Sequence, residues 1–174
     1  VNPQRSTIDI DADAVVTAED QKRTQEAVRQ GTSVLRDSFA AVRAGDLKIE
    51  TLGPVADEIR DRIDAAPEVF LKVTRLKSKD EGTYMHSLAV SALMMRLART
   101  LDYDDAMVRE LGVAGLLHDV GKLMIPNAIL NKAGQLEAAE KSRMRGHPEI
   151  GYRLLKELGD ISPLTLDIVR FHHE

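Results

Sequence analysis

Apolar positions recur at helical spacing over most of this chain. Between Thr17 and Gly45 they fall at Val28, Val34, Leu35, Phe39 and Val42, and Thr17 followed by Asp20 reads as a capping box, so one long amphipathic helix is expected. A second helical pattern covers about 50 to 65 and stops before Pro67, a short third one runs on to about Leu76, and the charged "KSKDEG" reads as a loop. From Thr83 to Leu101 the positions Ala89, Val90, Leu93, Leu97 and Leu101 form one stripe with His86 on it, which predicts a histidine facing the core. Asp104 or Asp105 can cap the next helix. Its inner face runs through Val108, Leu111, Gly115 and His118, its end is set by Gly121, and Gly112 and Gly115 permit a neighbouring helix to come close. "IPNAILNKAGQ" is a connector, followed by expected short helices at about 137 to 145, 148 to 158 and 163 to 174. Only the first 17 residues differ, where Ile8 and Ile10 alternate with Asp9 and Asp11 in a strand-like stretch.

Composition agrees with helix-on-helix packing. Of 174 residues 43% are hydrophobic but only 3% are aromatic, and tryptophan is absent, so the core is aliphatic. The expectation is an all-α bundle with a short extended N-terminal stretch. A formal charge of -4 argues against a surface that grips a nucleic acid polymer, although a small nucleotide remains compatible with it. Cysteine is absent, which excludes thiolate metal sites and disulfides and fits a reducing, cytoplasmic setting. No apolar run is long enough to span a bilayer.

The five histidines, His86, His118, His147, His172 and His173, all fall within or at the ends of expected helices. Singly, each is best read as a hydrogen-bonded core residue, and Asp119 with Lys122 as a helix-end ion pair. Together they form a set that could converge inside a bundle, where burying several titratable rings is costly unless they are paired or bound to metal. "HD" and "HH" project about 100° apart on a helix, so each pair can place two ligands around the edge of a cavity. A carboxylate can bridge two cations where an imidazole cannot, which singles out Asp119.

"TYMHSLAVS", "LLHDVGKLMIPNAILNKAGQL", "GHPEIGYRLLKEL" and "FHHE", in that order over about residues 80 to 174, resemble the motifs of the HD-GYP phosphodiesterases, a branch of the HD superfamily of metal-dependent phosphohydrolases. The resemblance implies an HD-type helical bundle that holds two or three first-row metal ions, often iron or manganese, and hydrolyses cyclic di-GMP to pGpG and GMP. By position, His86, His118, Asp119, His147, His172 and His173 match the family's metal ligands, with Asp119 as the bridge. Lys122 matches the lysine beside the metals and the substrate phosphate. Members with three metals carry a glutamate where this chain has Gly82, so two metals are expected.

The expected organisation is a tail of a preceding domain at 1–17, helices or a linker at 18–76, and an HD-GYP domain at 77–174. That last domain is expected to be incomplete, because the GYP loop and a later aspartate ligand do not occur by Glu174; a chain stopping there could be folded, metal-poor and inactive. Protein partners are expected through that loop. The helix at 18–44 packs on the domain or pairs with a second copy, and a homodimer is the expectation. Two other functions compete: an HD hydrolase of a different nucleotide, and an inactive HD-type signalling or binding module.

Overall fold

The computed structural model describes residues 17–75 and 81–174, and it is all-α, with no strand among those residues. The strand-like stretch around Ile8 and Ile10, and most of the charged loop before Gly82, lie outside the described residues. None of the helices described is long and apolar enough to cross a membrane.

Helix α1 spans Ala18–Ala44 and has the ends its sequence specifies. Thr17 Oγ1 accepts from the Asp20 amide at 3.1 Å, and Asp20 Oδ2 accepts from the Thr17 amide at 3.0 Å, so two otherwise orphaned donors are satisfied. At the other end Gly45 adopts φ 74°, a left-handed turn that glycine enters without a Cβ clash. Its buried side carries Val28, Leu35, Phe39 and Val42, while Val34 is only partly covered. α2 (Leu52–Ala65) and α3 (Pro67–Arg75) divide at Ala66, as expected where Pro67 has no amide hydrogen to continue the ladder. All three pack on one core shared with α4 (Gly82–Thr100) and α5 (Asp105–Leu117).

The orientation of α4 corrects the expectation. Leu93, Leu97 and Leu101 are 49%, 59% and 59% exposed, and the buried face carries Ser87, Leu88, Ser91, Ala92, Met95 and Ala98. The reason is the closeness of α5. A Cβ on Gly115 would meet the Ser91 backbone at 2.7 Å, one on Gly112 would meet Met95 Sδ at 2.5 Å, and Ser91 Oγ donates to the Gly112 carbonyl at 2.8 Å. Small residues make that contact, so a stripe of large apolar residues does not mark it. His86 consequently sits at the edge of an exposed face rather than in the core, with its side chain 49% exposed.

Asp104 caps α5 by accepting from the Met107 amide at 2.8 Å. α5 ends at Leu117, before Gly121, and continues into a 3-10 turn, Val120–Met124. Gly121 is not in the left-handed region. Its lack of a side chain serves another purpose: a Cβ there would collide with the His147 carbonyl oxygen and the Gly151 amide. Glycine therefore lets this turn lie directly against α8 (His147–Leu158). The connector contains a single short helix, α6 (Asn127–Leu130), and α7 (Ala138–Arg145) and α9 (Pro163–Phe171) complete the fold close to where they are expected.

Candidate metal centre

Three histidines sit at helix ends, and the ends orient them. The last carbonyls of a helix have no partner within it. Gly115 O, in the last turn of α5, lies 2.8 Å from His118 Nδ1; Met144 O, in the last turn of α7, lies 2.7 Å from His147 Nδ1; Val169 O, in the last turn of α9, lies 2.9 Å from His172 Nδ1. A carbonyl only accepts, so each Nδ1 carries the hydrogen and donates. In the neutral ring Nε2 is then a bare lone pair.

Those lone pairs point at one place. His118 Nε2 is 3.3 Å from His86 Nε2, and His147 Nε2 is 3.1 Å from His172 Nε2. Asp119, only 1% exposed, stands between the two pairs. Its Oδ2 is 3.3 Å from His118 Nε2 and 3.6 Å from His86 Nε2. Its Oδ1 is 3.1 Å from His147 Nε2 and 3.7 Å from His172 Nε2. His173 completes the second group, with its ring centroid 4.3 Å from that of His172 and 5.1 Å from that of His147. Two sets emerge, one of His86, His118 and Asp119 and one of His147, His172 and His173, each with its ligand atoms within 4.8 Å of one another.

The electrostatics fit cations at both ends of that carboxylate. Burial alone would raise the Asp119 pKa, but positive charge facing it outweighs burial: with a hydrogen also on Nε2, the His118, His147 and His172 rings would hold the carboxyl well below the usual carboxylate range. Burial, followed by the neighbouring His172 and His147 rings, pushes His173 down, towards the neutral form that a metal requires. Asp119 Oδ1 is buried without a hydrogen bond. Acceptors facing acceptors at about 3 Å repel, and adding protons to several adjacent rings would put like charges together instead. Divalent-metal binding would answer both difficulties, and imidazole with carboxylate is a donor set that suits first-row metals.

Lys122 Nζ donates to Asp119 Oδ2 at 2.6 Å. The ion pair expected for an isolated helix end is therefore present, and it lies at the edge of the ligand cluster. All seven residues singled out in the sequence are thus brought together. What sequence reasoning missed is the set of orienting carbonyls. The available signal was that His118 and His172 each directly follow a helix, and that His147 begins a helix just after another has ended.

A family model for the HD domain matches residues 83–174, more than half of the chain. The chain belongs to the HD domain family. HD domains are metal-dependent phosphohydrolase domains, so divalent-metal binding accompanies this fold. The HD segment also lies within similarity to longer proteins. One is a cyclic di-GMP phosphodiesterase of Pseudomonas aeruginosa, 48% identical over 120 residues, covering 69% of this chain and 29% of the relative. Another is the cyclic di-GMP phosphodiesterase response regulator RpfG of Xanthomonas campestris, 36% identical over 70% of this chain and 32% of the relative. A third is a 3'3'-cGAMP-specific phosphodiesterase of Vibrio cholerae, 37% identical over 45% of this chain and 18% of the relative. The matches thus span no more than about a third of these relatives' lengths. No solved structure gives a significant match.

Proposed function

We propose that this chain carries the catalytic centre of a metal-dependent phosphodiesterase that hydrolyses cyclic di-GMP to pGpG and GMP. The observation that supports it best is the Asp119 carboxylate, buried between two groups of inward-facing imidazole nitrogens. The names borne by the relatives supply the substrate.

In this reading two divalent ions, iron or manganese, would be held by His86, His118 and Asp119 on one side and by His147, His172 and His173, with Asp119 shared between them, on the other. Gly82 offers no side chain for a third, and Glu81 beside it engages Arg36 at 3.1 Å. When bound, such ions polarise phosphoryl oxygens and raise the acidity of water at neutral pH.

The chain's own residues do the rest. The backbone carbonyls of Gly115, Met144 and Val169 fix the ring orientations, so little reorganisation is needed on binding. Asp119, buried among the rings, presents both carboxylate oxygens to the two ligand groups. Lys122, held beside it, places an ammonium where charge builds on the phosphoryl oxygens as water attacks phosphorus and a ribose oxygen leaves.

The test is product analysis with the metal-loaded protein. Cyclic di-GMP is expected to yield pGpG, and His118→Ala, with helix content kept, is expected to lower the rate by at least about a hundredfold. Hydrolysis of 3'3'-cGAMP in preference to cyclic di-GMP would change the substrate. Binding of a nucleotide without turnover by metal-loaded wild type would make this a binding module.

A further inference from the structure

Beside the metal centre lies a cleft of about 670 Å³, within the range of small-molecule sites. Lys122, whose Nζ donates to Asp119 Oδ2 at 2.6 Å, is one of its lining residues and links the cleft to the ligand cluster. Opposite chemistry is contributed by the Asn127 and Asn131 amides and by Tyr84, whose ring leans on Phe39 with centroids 5.5 Å apart. Among the described lining residues the charged ones are Lys122 and Arg43, both cationic, in a chain whose formal charge is -4.

Arg43 comes from the last turn of α1, outside the segment that matches the HD family model. It is exposed and makes no hydrogen bond or ion pair with any described residue. A basic residue near a helix C-terminus is favoured by the helix dipole, which accounts for its charge but not for its place in the cleft.

A cyclic dinucleotide carries two phosphodiesters in one ring. With one of them at Lys122 and the metals, the other is carried away from that point by the ring itself, and it needs a countercharge. We propose that Arg43 is that countercharge: a substrate-binding residue that holds the second phosphate of the substrate in the α1 cleft. This rests on the phosphodiesterase reading above and adds a residue to it. A guanidinium gripping phosphate makes paired, charge-assisted hydrogen bonds, and their loss corresponds to about a ten- to hundredfold change in affinity.

The experiment measures binding of the phosphorothioate analogues of cyclic di-GMP and cyclic di-AMP to the metal-loaded protein by calorimetry, for wild type, Arg43→Ala and Arg43→Lys. Arg43→Ala is expected to raise Kd for both analogues by about tenfold or more, Arg43→Lys by less, with thermal melting unchanged because the side chain is exposed. Equal affinities for wild type and Arg43→Ala would overturn the proposal, as would a loss confined to the guanine ligand, which would mean a base contact. Hydrolysis of bis(p-nitrophenyl) phosphate by wild type is measured in parallel. If that activity is present but wild type binds neither analogue, the Arg43 role fails while the metal reading stands. If the activity is absent yet Arg43→Ala still weakens both analogues, the catalytic reading fails and the phosphate contact stands.

Discussion

At the scale of single residues, the site depends on groups that accept rather than donate. Asp119 and the Nε2 atoms of His118, His147 and His172 are legible in the sequence as candidate ligands, because imidazole and carboxylate gathered in an aliphatic, cysteine-free chain have few other uses. The carbonyls that aim them are not legible. Every residue has a carbonyl, and only the termination of α5, α7 and α9 frees those of Gly115, Met144 and Val169 for a ring. Gly121 was visible as a glycine but its purpose was not: it reads as a turn residue, whereas its job is to let backbone approach backbone. Gly121→Ala forces a methyl group against the His147 carbonyl, so it is expected to lower stability by about 1–3 kcal/mol, as overpacking does, and to shift His147 away from Asp119. Denaturant unfolding and metal titration check both effects together. Unchanged stability with unchanged metal affinity would mean that the contact is loose.

At the scale of elements, helix boundaries followed closely from caps and breakers. Thr17 with Asp20, Gly45, Pro67 and Asp104 each act locally, so their signals survive whatever the rest of the chain does. The rotation of α4 is different. Its outward stripe carries Leu93, Leu97 and Leu101, while its inward face mixes Leu88 and Met95 with Ser87, Ser91, Ala92 and Ala98, and the pairing of those small residues with Gly112 and Gly115 decides which side is buried. That partner is more than twenty residues along the chain from Ser91, beyond the reach of a periodicity argument. Two substitutions on α5 separate folding from site geometry. Asp104→Ala removes a cap and is expected to cost about 1 kcal/mol with metal binding intact. Gly115→Ala presses on the Ser91 backbone, and is expected to cost more and also to weaken metal binding, because it moves His118 relative to His86. Thermal melts and metal titrations of the two variants make the comparison; equal losses of metal affinity would contradict this division of roles.

At the scale of the whole molecule, the chain brings four distant segments to one carboxylate. No periodicity foretells that the ends of α5, α7 and α9 and the edge of α4 should meet; the ordered motifs implied it, and the geometry of the bundle shows it. α1, α2 and α3, which lie before the segment matched by the HD model, share the same core, so the position of Arg43 beside the cleft is fixed by packing rather than by a tether. The proposed activity requires Asp119 to serve two cations at once. Anomalous diffraction from crystals of the metal-loaded protein measures this most directly. Two separate peaks are predicted, one among His86, His118 and Asp119 Oδ2 and the other among His147, His172, His173 and Asp119 Oδ1. A single peak on one side of the carboxylate, or a well-ordered site with water and no metal on either side, would contradict it.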